Sequence, residues 1–360
     1  MREKLNVLHI ALLLFMIESD VAVFILPRLT AANFGTNGWL GFIALSLVAA
    51  FNIFMYRIVY RMGGGRSVFD IAEAAAPRAV LYPFYAALAL LWLGLGAFIG
   101  KTYVLIFQML SFQNSQPMLI YVLYCVLVLT LLTKSLYSIA KASTVFFFMA
   151  SWLVLLLPYF FKSWSAVRFT TSFFQGAVEG HHLGGFLEVF AAFIGYELCM
   201  FLFPHTDAKS KLFTGVFVGH FLFTAVNLLA MVMCFGFFSF EEIKRLEFPI
   251  IYMHEFVELS FLNRVDSLVY PFFSFYSLIS TVMFGYAALK SIGRMLPKVS
   301  DRRLALPVTG AIFLLGFIPS IFREAGTWLK LVFTIETGVA FGMPLILIVM
   351  LKLGKKAKGA

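Results

Sequence analysis

The sequence predicts an all-α integral membrane protein, and three observations carry that prediction. First, the 360 residues are 61% hydrophobic and only 13% charged, with a mean hydropathy of +0.92. A soluble domain is about half apolar and a quarter charged, so the core expected here is a helix bundle in lipid. Second, apolar runs long enough to cross a bilayer recur along the whole chain. Third, two of these runs are broken mid-span by acidic residues, one near the start of each half. FMIESDVAVFILP (Phe15–Pro27) carries Glu18, Ser19 and Asp20, and AAFIGYELCMFLFP (Ala191–Pro204) carries Gly195, Tyr196 and Glu197. Carboxylates at that depth are costly against lipid and are functional candidates by default. Matched interruptions in two halves point to a transporter-type binding site.

Ten spans are expected in order. The first, Leu5–Pro27, follows Arg2 and Lys4 as a signal peptide would. No small-residue cleavage site follows and further spans do, so it is expected to be retained. Gly38–Tyr60 is the second. Val80–Leu110 is long enough to tilt or protrude. Met118–Leu132 is slightly short, and Ile139–Phe161 closes the first half. Gly185–Phe203 carries the second acidic break. Leu212–Phe237, Val265–Leu289, Leu304–Phe322 and Trp328–Leu351 complete the set. They form one polytopic domain, with candidate repeats over 5–161 and 185–351. Two connections are longer than turns: Lys162–Leu183, containing His181 and His182, and Ser239–Asn263. The second mixes apolar and charged residues at helical spacing and reads either as one or two amphipathic helices or as an interfacial loop.

Basic residues set the orientation. With the N-terminus in the cytoplasm, 19 Lys and Arg fall in inside segments and 8 in outside segments, Lys101 lying within a span. That asymmetry favours both termini inside. Two five-span halves then have opposite topology, as an inverted repeat requires. The net charge of +10 is explained by these loops and does not suggest a nucleic-acid partner. Cys125, Cys199 and Cys234 all lie in apolar spans and give no disulfide framework.

Three stretches together resemble the B subunits of spore-germination nutrient receptors, the GerAB-like family, within the amino acid–polyamine–organocation transporter superfamily. They are the first helix ending in VFILP with the NFGTNGWLG turn after it, FIGYELCMFLFP in span 6, and EFPIIYMHEFVEL followed by FLNRVDSLVYPFFSF, with Arg264 and Asp266 opening span 8. The resemblance covers nearly the whole chain. It implies a LeuT/APC-type fold of ten transmembrane helices in a five-plus-five inverted repeat, with helices 1 and 6 discontinuous. It also implies a spore inner-membrane location, receptor A and C subunits as partners, and a small nutrient ligand, commonly an amino acid. One departure stands out. The family usually has Gly-x-Gly in helix 1, where Asp20 and Ala22 stand here, so backbone N–H groups are less open to a ligand carboxylate.

A broken helix offers N–H groups at one new end and C=O groups at the other. Glu18, Ser19, Asp20, Ala22, Gly195, Tyr196 and Glu197 are therefore expected around a cavity at the breaks. Glu197 is either a protonatable coupling group, a ligand anchor or a tie between helices 6 and 1. Lys101, beside Tyr103 in span 3, either pairs with Glu197, Glu18 or Asp20 or extends outward. Glu336 is expected towards a vestibule or interface. Ser274, Tyr276, Ser277, Ser280 and Thr281 form a hydroxyl stripe on span 8, suited to ligand or cation contacts or, more simply, to bonding within the bundle. Gly63-Gly64-Gly65-Arg66 lacks the context of a phosphate loop, and His181-His182 lacks ligands at metal spacing. No cofactor, metal or enzyme motif is expected. The leading functional expectation is a germinant-receptor subunit. The alternative is a proton-coupled amino acid or polyamine transporter, and a third reading is a scaffold that has lost its ligand.

Overall fold

The computed structural model describes residues 4–170, 172–177, 183–207, 210–257 and 266–356, with backbone only at 266–268 and 354–356. All ten predicted spans are helical. The first is α1 (Val7–Glu18), a 3-10 turn (Val21–Ile25) and α2 (Leu26–Phe34). Then come α3 (Trp39–Gly63), the short α4 (Val68–Glu73), α5 (Arg78–Ser111), α6 (Pro117–Leu132) and α7 (Leu136–Ala150), which tightens into a 3-10 helix over Ser151–Lys162. Span 6 is α8 (Leu183–Phe190), a short turn (Ala191–Phe193) and a 3-10 segment (Tyr196–His205). It is followed by α9 (Leu212–Phe237), α10 (Phe240–Arg245), α11 (Pro249–Glu255), α12 (Asp266–Met295), α13 (Asp301–Leu315) and α14 (Phe322–Lys356).

Seven of these are long and apolar enough to cross a membrane alone, and the bent pair Val7–Glu18 and Val21–Phe34, angled at 54°, makes an eighth. α6 and α13 have 16 and 15 residues, fewer than a straight crossing needs. Length and composition thus support seven to eight crossings among the described residues, where the sequence led us to expect ten. The predicted ninth span ends early, at Leu315 instead of Phe322. Pro319 lies just ahead, and a proline disfavours helical geometry in the residue before it. The 239–263 connection contains two short helices, α10 and α11. The first is closed by a Ser239–Glu242 capping box. His181, His182 and Arg264 lie outside the described residues, as does the side chain of Asp266.

α1 is the centre of the bundle. It is buried from Ile10 to Glu18 and packs against α7, α9 and α12. Its uniformly apolar sequence suits a helix enclosed on all sides. α9 approaches it through Gly215 and Gly219, spaced four apart. A Cβ on Gly219 would sit 2.4 Å from the Ala11 carbonyl oxygen. Small residues of this kind let two backbones close on each other where lipid supplies no hydrophobic drive. α14 is held by a different device. Pro344 has no N–H, so the Ala340 carbonyl loses its intrahelical donor. Asn52 Nδ2 and Tyr56 Oη of α3 both donate to that oxygen, at 3.1 and 3.0 Å.

Gly219→Val should force α9 away from α1 and lower stability by roughly 1–3 kcal/mol. Gly338→Ala, on an exposed face of α14 with nothing within 4 Å, should be neutral or slightly stabilising. Thermal unfolding of both variants in detergent checks the contrast.

Candidate functional site

The first break follows Glu18. Ser19 donates its N–H to Phe15 O at 3.0 Å, and the chain leaves helical geometry there. Asp20 takes an extended conformation, and its carboxylate accepts the N–H of Ala22 at 2.8 Å. Asp20 therefore caps the 3-10 turn that restarts the span. On the other side, Ser280 Oγ of α12 lies 2.8 Å from Ile17 O, one of the carbonyls freed at the end of α1. The stripe on α12 is otherwise engaged in the bundle. Ser277 and Thr281 both contact Tyr124 Oη, Thr281 also donates to Gly96 O, and Ser274 bonds Pro271 O within its own helix.

The second break centres on Gly195, whose φ of +121° is open only to glycine. A Cβ there would meet Ile17 Cγ2 at 2.5 Å, so the two breaks press directly on each other. The Gly195 N–H donates to Glu197 Oε2 at 2.9 Å. Each restart is thus capped by an acidic side chain of its own segment.

Four buried carboxyl groups gather around this junction: Glu18, Asp20, Glu197 and Glu336. Glu18 meets His220 Nδ1 of α9 at 3.1 Å, and Nε2 of the same ring lies 3.0 Å from Ser46 O and 3.1 Å from Ser46 Oγ of α3. Thr224 closes the chain onto Ser46 at 2.8 Å. His220 was not singled out from sequence. A histidine within an apolar span was the available signal, since ionisable groups there are rare. Glu336 does not face a vestibule. It is fully buried in α14, accepts Trp92 Nε1 at 3.0 Å, and faces Glu197 within hydrogen-bonding reach. Among the described residues, Glu197 Oε1 and Glu336 Oε2 have no donor and the buried Tyr196 hydroxyl has no partner.

Lys101 pairs with none of the acids proposed for it. α5 continues to Ser111, and the ammonium lies buried, 2.8 Å from Met118 Sδ and 5.6 Å from the Tyr121 ring centroid. The sulfur lone pairs and the ring face take the place of a carboxylate. Tyr103 donates to Tyr270 O at 2.9 Å.

A cavity of about 730 Å³ opens on the α2 side of the breaks. Its inner part is walled by Val21, Ala22 and Ile25, by Thr102 and Ile106 of α5, by Leu187 and Ala191 of span 6, and by Phe333 and Thr334 of α14. Arg28, Glu188, Glu247, Arg323 and Lys330 also line it. Glu188 is ion-paired to Lys330 and accepts from Asn33, whereas Arg28 and Arg323 have no carboxylate partner among the described residues. Of the residues expected at the site, Ala22 lines this cavity. Ser19 and Tyr276 line a smaller, mainly apolar one of about 60 Å³ between α1, the 3-10 helix Ser151–Lys162, α9, α11 and α12. No group of three or more His, Cys, Asp or Glu suited to a metal ion occurs among the described residues.

A family model described as spore germination protein matches residues 4–324. Two solved structures show strong likeness across nearly the whole chain. MhsT in complex with L-phenylalanine has a TM-score of 0.62 at 13% identity, covering 98% of this chain and 100% of its own. A Na+-coupled sialic acid symporter in a substrate-bound outward-open state has a TM-score of 0.60 at 12% identity, covering 94% of this chain and 79% of its own. No curated protein matches. At these identities the structural likeness establishes the fold, which is of the LeuT type with broken helices 1 and 6.

Removing one partner of the Glu18–His220 contact leaves the other buried and unmatched. Glu18→Ala and His220→Ala should each cost about 3–5 kcal/mol. Glu18→Ala/His220→Ala together should cost less than the sum of the two, because the double variant leaves no orphan. Unfolding in detergent by heat or denaturant, run as a double-mutant cycle, reads this out.

Proposed function

The chain belongs to the spore germination protein family, and from that premise we propose that it is the membrane subunit of a nutrient-germinant receptor. The observation that carries the proposal is the cavity at the junction of the two broken helices, in a fold shared with MhsT bound to L-phenylalanine. Cavities of several hundred Å³ with a few convergent polar groups are the usual form of a small-molecule site. In this reading the ligand is a small nutrient, an amino acid first of all. Its carboxylate is drawn to Arg28 or Arg323, because the N–H groups at Ala22 and Gly195 are already taken by Asp20 and Glu197. Its apolar part rests on Ala22, Ile106 and Phe333. The remaining candidates, Glu18, Ser19, Lys101, Tyr103, Tyr196, Tyr276 and Ser280, act through the packing beneath it.

Occupancy favours one of two bundle states only through a difference in affinity between them. Receptor A and C subunits would then carry the signal. The spore inner membrane is the proposed location, with ten spans in two inverted halves and both termini in the cytoplasm, as the excess of Lys and Arg on that side favours. Nothing in this role requires chemistry on the ligand, and we read the protein as non-enzymatic.

Spores lacking the gene should fail to germinate with one class among amino acids, sugars and nucleosides. The intact gene should restore the response, and Ala22→Trp, which fills the cavity floor, should not, at equal protein abundance. A null strain that responds normally to every nutrient would count against the receptor, and proton-dependent uptake in proteoliposomes would then favour transport.

A further inference from the structure

The fully buried carboxyls of Glu197 and Glu336 sit against each other with no cation among the described residues to balance them. Glu197 belongs to the segment after the second break and Glu336 to α14. Among the described residues, the titratable groups acting on them are anionic or neutral. Glu18 comes from α1 and is engaged with His220, Tyr56 comes from α3, and Tyr196 and Cys199 come from span 6. α5 contributes only the indole N–H of Trp92, which donates to Glu336 Oε1. The Gly195 N–H donates to Glu197 Oε2. That leaves Glu197 Oε1 and Glu336 Oε2 as buried acceptors with no donor. Two carboxyl groups at this separation cannot both ionise, and an unmatched pair of anions at this depth is far too costly. A proton shared between the two groups supplies the donor that both lack.

The position of the pair gives it leverage. α14 sends Phe333 and Thr334 to the cavity and Glu336 to the pair within one turn. Span 6 sends Ala191 to the cavity and Glu197 to the pair just after the break. The two helices joined by the pair are therefore two walls of the cavity.

We propose that Glu197 and Glu336 form a proton-binding site whose shared proton latches span 6 to α14 beneath the cavity. Losing the proton to water leaves two facing anions, which part the walls. Anything that spreads the walls lowers the affinity for the proton, and the reverse holds by linkage. The latch stands on the geometry of the pair and holds for a receptor or a transporter alike.

The test uses the full chain in lipid nanodiscs. Infrared spectra recorded across pH should show a protonated-carboxyl band in the wild type that shifts in frequency in both Glu197→Gln and Glu336→Gln, because the remaining carboxyl no longer shares its proton. With Thr334→Cys as a reporter on the cavity wall, maleimide labelling should rise more steeply with pH in the Glu197 background than in the Glu197→Gln background, where only thiol ionisation contributes. A band whose frequency is unchanged in either Gln variant overturns the shared proton. Equal pH slopes in the two reporter backgrounds overturn the latch. A wild-type band that yields to sodium at constant ionic strength overturns the proton in favour of a metal cation. If Glu197→Gln does not fold, Glu336→Gln with the same reporter carries both readouts.

Discussion

Backbone groups freed within a membrane-depth bundle have to be paired by the protein itself, because lipid offers them nothing. The two broken helices of this chain are organised by that demand. At Ser19–Asp20 the freed donor at Ala22 is met by the Asp20 carboxylate and the freed acceptor at Ile17 by Ser280. At Gly195 the donor is met by Glu197. These pairings explain why acidic side chains occupy positions that would be costly against lipid. They also show how Asp20 and Ala22 serve at the first break: the turn is stabilised by a cap, where a bare backbone would depend on a ligand or water.

The same demand shapes the elements around the breaks. α1 can be apolar on all sides because α7, α9 and α12 enclose it, and α9 comes close enough for His220 to reach Glu18 only because Gly215 and Gly219 remove side-chain volume. Pro344 frees a carbonyl in α14, and α3 answers with Asn52 and Tyr56. A proline that would be a defect in an isolated helix thus becomes the point at which α14 is fastened to α3, a few residues beyond Glu336. The anchored stretch and the carboxyl pair lie on neighbouring turns.

Much of the fold was legible from sequence because membrane helices announce themselves by unbroken apolarity, and their breaks by polar residues within it. The interruptions at Glu18–Asp20 and Gly195–Glu197 fall where the chain unwinds, and the mixed segment after Ser239 contains two short helices. What stayed hidden depends on which side chains meet. Lys101 reads either as pairing with a carboxylate or as extending outward, but α6 brings Met118 and Tyr121 to it. Glu336 read as a peripheral acid because nothing in its neighbourhood along the chain reveals that Glu197 lies opposite. His220 carries no local motif, and its role emerges only when α1, α3 and α9 are packed together.

The cavity and the breaks are adjacent but distinct, and this separation has a mechanical consequence. The cavity reaches the first break through Val21 and Ala22, on the restarted side, while Glu18, Glu197 and Glu336 are sealed below it. A ligand in the cavity therefore acts on the breaks through the helices it touches. Those helices are the first span, span 6, α5 and α14, and all but α5 carry a buried carboxyl within two turns of a cavity-lining residue. Packed interiors do not deform continuously, so a small displacement at the wall has to be taken up where alternative pairings exist. In this chain such pairings are concentrated where the carboxyl groups meet.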